Sequence, residues 1–177
     1  MQCKAGSENL VLKEKETSMS NEKIIEYLQR AVKMEMTAAH QYQLHAHTLD
    51  DWGLTRLADQ MREEMSEELG HSDLFMQRLM FLKAKPELGF DKAPAAAETL
   101  QDMFKSDLVD EEEAISYYTK AAMHAAELGD IGTRTLFEKI VLDEEGHKGW
   151  LELQLDLIER LGEATYSAKL ISFGDEG

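Results

Sequence analysis

The sequence predicts an all-α protein: four long helices in a bundle, one long crossover between the second and third, and a short fifth helix at the C-terminal end. Three observations carry the prediction. Two prolines and 7% aromatic residues in 177 leave too few turn and strand formers for a sandwich or barrel. Apolar residues recur at three- and four-residue steps in four successive blocks, the period of a one-faced helix. The breaks after the first and third blocks are short, whereas the middle one is long. At 20.1 kDa, with 43% hydrophobic residues, the chain has one domain's worth of core.

Residues 1–18 lack that period and read as a flexible extension of a domain spanning 19–177, with Ser20 as N-cap of the first helix. The extension holds Cys3, read as an unimportant exposed thiol. Ile24, Leu28, Ala31, Glu35, Ala38, Tyr42, His45 and Leu49 mark one face of helix A, which stops near Gly53. Leu54 through Met61, Glu64, Glu68, His71, Phe75 and Leu79 to Leu82 mark helix B, halted by Pro86. Helix C runs from Leu100 through Phe104, Asp107, Glu111, Tyr118 and Ala125 to Gly129. Helix D runs from Thr133 through Phe137, Glu144, His147 and Leu151 to Gly162. Tyr166, Leu170 and Ile171 suggest the fifth helix. The linker at 86–98, extended at about 3.3 Å per residue, covers roughly the 45 Å length of one 30-residue helix. That length favours a crossover over a simple up-down-up-down bundle.

Charge and cysteine content exclude several functions. With 19 Lys+Arg against 35 Asp+Glu the net charge is −16, which disfavours nucleic-acid binding. One cysteine cannot make an internal disulfide or a thiolate-rich metal site, and it suits a reducing compartment. No signal-peptide core or 18-residue apolar stretch is visible, so no membrane role and a cytoplasmic location are expected.

The apolar stripes are interrupted at one depth by the same residue types: Glu35 on A, Glu68 and His71 on B, Glu111 on C, Glu144 and His147 on D. Glu-x-x-His occurs on B and D, each preceded 33 residues upstream by a stripe glutamate, so the two hairpins form a repeat with an offset of 76. About one Glu-x-x-His pair arises by chance in so acidic a chain, but chance does not readily place two on core-facing stripes with matched upstream partners. Positions i and i+3 share a helix face, which lets carboxylate and imidazole converge. Four buried carboxylates without cations would cost several kcal/mol each against a domain stability of about 5–15 kcal/mol. No Lys or Arg interrupts the stripes at that level, whereas two divalent cations balance four carboxylates. Carboxylate and imidazole ligands without thiolate favour iron or manganese, with iron preferred and zinc adventitious. Gly70 and Gly146, inside helices, point to close packing or a bulge there.

Beyond the extension, from Asn21 to Ser172, the chain resembles the bacterioferritins, which have the ferritin-like fold. The resemblance rests on Glu35 before Gln41-Tyr42, Leu44-His45-Ala46, Asp51-Trp52-Gly53, Ser106-Asp107-Leu108 before Glu111, and Asp143-Glu144-Glu145-Gly146-His147. It implies that the six ligands form a ferroxidase centre for two iron ions per subunit, Glu68 and Glu144 bridging, with O2 or H2O2 as oxidant. It further implies a hollow shell of about 24 subunits that stores ferric mineral. The family's b-type haem is held by a methionine immediately after the helix-B glutamate; here Leu69 stands there, so haem ligation by this chain is not expected and a haem-binding partner subunit is. Helical Met61, Met65 and Met76 read as core filler. Tyr42 is a secondary candidate to donate a hydrogen bond or an electron, and Asp107 to orient a ligand imidazole. His40, His45, His47 and His124 read as surface or satisfied residues, Trp150 as packing, and Glu63-Glu64 and Glu111-Glu112-Glu113 as solvated faces that also attract iron. The alternative function is a di-metal peroxidase or oxidase of the rubrerythrin or manganese-catalase type, without storage.

Overall fold

The computed structural model describes residues 4–171, with side chains from residue 21 onward. Its helices are α1 (Lys4–Asp51), α2 (Thr55–Phe81), α3 (Leu100–Glu127), α4 (Ile131–Leu161) and α5 (Glu163–Ala168). The expected all-α bundle with a short fifth helix is therefore what forms. No described helix is long and apolar enough to cross a membrane.

Two boundaries differ from expectation. Helix α1 begins at Lys4 and not at Ser20, because a stretch rich in Lys and Glu and free of proline continues a helix without needing a buried stripe. Cys3 lies outside the described residues. Helix α2 ends at Phe81, well before Pro86: Lys83 takes a left-handed φ of 63°, and the Ala84 and Lys83 amides donate to the Leu79 and Met80 carbonyls. The same closing pattern recurs at Gly53 and Gly129, where φ of 76° and 70° suits glycine and turns each helix into its hairpin partner.

The chain from Leu82 to Thr99 climbs alongside α1. Gln29 donates to the Lys85 carbonyl, Asp91 N–H donates to the Lys33 carbonyl, and the Gln41 amide both donates to the Ala95 carbonyl and accepts from Ala95 N–H. This ladder fixes the long crossover and sets α3 antiparallel to α1, with Thr99 and Asp130 capping α3 and α4. Two apolar clusters fill the bundle. One gathers Leu49, Met61, Met103, Phe104 and Leu151; the other gathers Leu28, Phe75, Leu79, Phe137 and Ile140. Trp150 packs edge-on to Phe104 as expected. Between the clusters lies a layer of buried acids and imidazoles.

Candidate metal centre

Each long helix contributes to this layer: Glu35 from α1, Glu68 and His71 from α2, Glu111 from α3, Glu144 and His147 from α4, all buried. Their ligand atoms fall into two overlapping groups, Glu35, Glu68, His71 and Glu144 in one, Glu68, Glu111, Glu144 and His147 in the other. Glu68 and Glu144 belong to both. His71 Nδ1 lies 3.4 Å from Glu68 Oε2 and 3.3 Å from Glu144 Oε1, while His147 Nδ1 lies 3.3 Å from Glu68 Oε1 and 3.0 Å from Glu144 Oε2. Each shared carboxylate thus turns one oxygen toward each imidazole, the arrangement of a bridging ligand.

Both oxygens of Glu68 and of Glu144, and Nδ1 of both histidines, have no hydrogen-bond partner. Buried polar atoms are nearly always paired, so six convergent exceptions require an explanation. Two bridged divalent cations supply one: the donors are oxygen and imidazole nitrogen, and the cationic charge offsets four carboxylates.

Without cations the site balances itself with protons. Burial, then the charges of Glu68 and Glu144, push the Glu35 and Glu111 carboxyls well above their ordinary range. Burial also opposes charge on Glu68 and on His71, but their neighbours win: Glu35, His147 and His71 hold Glu68 below its ordinary value, and Glu144 and Glu68 push His71 up to about 10. His147 is raised in the same way by Glu144, Glu64 and Glu68. Metal binding therefore competes with protons held at the centre and releases them. Affinity accordingly rises with pH below the raised values. Calorimetry of Zn2+ binding in two buffers of different ionisation enthalpy measures the number; a release near zero contradicts this balance.

Two tyrosines brace the outer candidate ligands. Tyr42 on α1 donates to Glu111 Oε1 at 2.5 Å, as the sequence suggested, and Tyr118 on α3 donates to Glu35 Oε1 at 2.5 Å. Burial and the adjacent carboxylates raise both phenols, which keeps them protonated as donors. Helical periodicity alone places Tyr118 on the core stripe without giving it a role. The signal was present, because Tyr118 follows Tyr42 by the same offset of 76 that relates the ligands.

Asp107 does not orient a ligand imidazole. Its Oδ2 lies 3.1 Å from Nδ1 of buried His45, whose Nε2 meets Gln41 Nε2 at 2.6 Å. Antiparallel α1 and α3 bring Asp107 level with His45, one layer from the ligands. The candidate-ligand imidazoles instead turn Nε2 toward Glu64 at 3.0 Å for His147 and toward Asp143 at 3.5 Å for His71. Glu64 is buried, as its place on the helix-B stripe implies, and does not belong to the solvated face suggested for Glu63-Glu64. Asp107→Ala strands buried His45, at about 1–3 kcal/mol of stability. Thermal unfolding should show that loss while metal stoichiometry stays unchanged. Gly70 and Gly146 do not answer to close packing: a Cβ at either meets nothing within 4 Å, and nothing in the structure explains them. His47 is exposed, and His40 bonds the Met36 carbonyl against Phe90.

Comparison with known proteins agrees with this geometry. The model of the ferritin-like domain family matches residues 25–161. The bacterioferritin of Rhodobacter capsulatus is 39% identical over 140 residues, 79% of this chain and 87% of that protein, and the bacterioferritin of Brucella melitensis is 36% identical over 154 residues, 87% and 96%. A solved structure of the Rhodobacter capsulatus bacterioferritin, described with a metal-free dinuclear site and haem iron, superposes with TM-score 0.84 at 36% identity, covering 88% of this chain and 97% of that one. Mycobacterium tuberculosis bacterioferritin superposes with TM-score 0.82 at 33% identity over 85% and 94%. The chain belongs to the ferritin-like family and, within it, to the bacterioferritins.

Proposed function

We propose that this protein oxidises Fe2+ at the four-carboxylate, two-histidine centre and stores the resulting ferric mineral in a shell built from copies of itself, in the cytoplasm. The six convergent unpaired ligand atoms carry the reading. Two bound ferrous ions, as substrate, supply the two electrons that dioxygen or hydrogen peroxide takes up. Glu68 and Glu144 hold the ions as a pair, while Glu35 and Glu111 each serve one ion and are aimed by Tyr118 and Tyr42. Phe75, Phe137 and Met61 close the apolar layers around the site and limit water. Glu64, Glu67 and Asp143, at the outer edges of the imidazoles, present carboxylates that attract the cation.

Haem ligation at the helix-B position is absent from this reading. Leu69 offers no lone pair and stands 39% exposed on α2, while Met61 is buried and Met65 and Met76 pack against the two cores. The protein assembled from this chain alone should show no strong Soret band. A stoichiometric band in that homomer contradicts the assignment, whereas a band appearing only with a second kind of subunit supports a haem-binding partner.

Aerobic addition of Fe2+ to the metal-free protein tests the function. A fast ferric absorbance phase saturating near about two ions per chain, then slow uptake of many more soluble ions, is expected. A fast phase without further uptake indicates a di-metal redox enzyme without storage, and no fast phase rejects the site.

A further inference from the structure

Tyr118 differs from Tyr42 in its surroundings. Its ring is fully buried, 5.4 Å from Phe75 and 5.6 Å from Phe137 between centroids, and 6.1 Å from Tyr117. Tyr117, half-buried, lies 5.3 Å from Tyr27, which is also half-buried on α1. The three phenols thus step from the ligand Glu35 to the water-facing side of the bundle. Among the described residues Tyr42 stands in no such ring pair, so only one of the two braced ligands has an aromatic path outward.

We propose that Tyr118, Tyr117 and Tyr27 form a one-electron relay that carries an oxidising equivalent from the metal centre to the protein surface. The inference rests on the reading of the centre as a site of ferrous oxidation. It applies when peroxide meets a centre holding a single ferrous ion. Reduction of hydrogen peroxide to two waters takes two electrons, of which that ion supplies one and Tyr118 the other. One peroxide, one Fe2+, one phenol and one proton from solvent become Fe3+, a phenoxyl radical and two waters. The phenolic proton of Tyr118 leaves along its 2.5 Å hydrogen bond to Glu35 and ends in the waters formed. Tyr117 then returns an electron to Tyr118, which takes a proton back along its hydrogen bond to Glu35 while half-buried Tyr117 gives its own proton to water; Tyr27 reduces Tyr117 in the same way, the proton again exchanging through water. A soluble one-electron donor such as a thiol restores Tyr27, whose proton exchanges with water.

The surroundings fit transfer of this kind. Phe75 and Phe137 shield the Tyr118 ring from water, and contiguous rings make each step short. The cations above the outer rings are compensated: Arg30, 4.6 Å over Tyr117, pairs with Asp91 and Glu113, and Lys23, 5.2 Å over Tyr27, pairs with Glu26. His124, 5.8 Å from Tyr27, packs beside the outer ring. The function served is protective, since a half-filled centre would otherwise release its second oxidising equivalent onto nearby side chains.

The test loads one Fe2+ per chain without oxygen, adds hydrogen peroxide with a nitroso spin trap, and reads tyrosyl radical by freeze-quench electron paramagnetic resonance and trap adducts by peptide mass spectrometry. The parent protein is expected to show a tyrosyl signal and an adduct on Tyr27. Tyr117→Phe should keep a radical signal and lose the Tyr27 adduct. Tyr118→Phe should lose the adduct as well, with the ring and fold retained as checked by circular dichroism. An adduct on Tyr27 that persists in both variants, or no tyrosyl radical in a parent that consumes peroxide, overturns the relay. A parent that neither consumes peroxide nor oxidises Fe2+ overturns the reading of the centre itself.

Discussion

Glu68→Ala abolishes the fast phase of ferrous oxidation, lowering its rate by more than about 100-fold, beyond the 10–100-fold typical of losing a group that only supports a ligand. The size follows from position. Glu68 belongs to both ligand groups and turns one oxygen toward each histidine, so its removal strips a ligand from both ions and leaves three carboxylates against two divalent charges. Glu35→Ala, which affects one group only, should retain binding of a single ion. Stopped-flow absorbance of both variants beside the parent checks the order. Equal, mild effects would mean that Glu68 does not bridge.

Metal loading raises the melting temperature by about 10–20 °C. Each ion held at 100 times its dissociation constant contributes about 2.7 kcal/mol, and a domain of this size gains about 2–4 °C per kcal/mol. The gain comes from coordinating six buried atoms that otherwise lack hydrogen-bond partners. Calorimetric melting with Mn2+ or Zn2+, at one protein concentration and with chelator as the reference, avoids oxidation during the scan. Glu68→Ala should lose most of the shift; a shift below about 2 °C in the parent contradicts a site that uses both ions.

The sequence disclosed depth more readily than neighbourhood. A stripe of period 3.6 shows that Glu35, Glu68, His71, Glu111, Glu144 and His147 point inward, and the repeated spacing shows that two hairpins bring them to one level. It does not show which residue on another helix an inward side chain meets. Asp107 was legible as buried, but its partner depends on the register of α3 against α1, which the crossover ladder at Gln29, Lys33 and Gln41 sets through backbone contacts that leave no composition signal. That register gave Asp107 to His45 and left Glu64 and Asp143 to the ligand imidazoles. Tyr118 was recoverable from the offset of 76, since the repeat extends from the ligands to the phenols that brace them. Helix ends were less accessible: α2 stops at Phe81, closed by Lys83, a non-glycine in left-handed conformation, rather than at the proline that marks the break in sequence.

The most direct measurement is a crystal structure of the protein soaked anaerobically in Fe2+, with anomalous scattering recorded at the iron edge. Two peaks per chain are expected, one among Glu35, Glu68, His71 and Glu144, the other among Glu68, Glu111, Glu144 and His147, both touching Glu68 and Glu144. A single peak, or iron confined to the outer groups at Glu64, Glu67 and His147 or at Glu67, His71 and Asp143, would contradict the paired site.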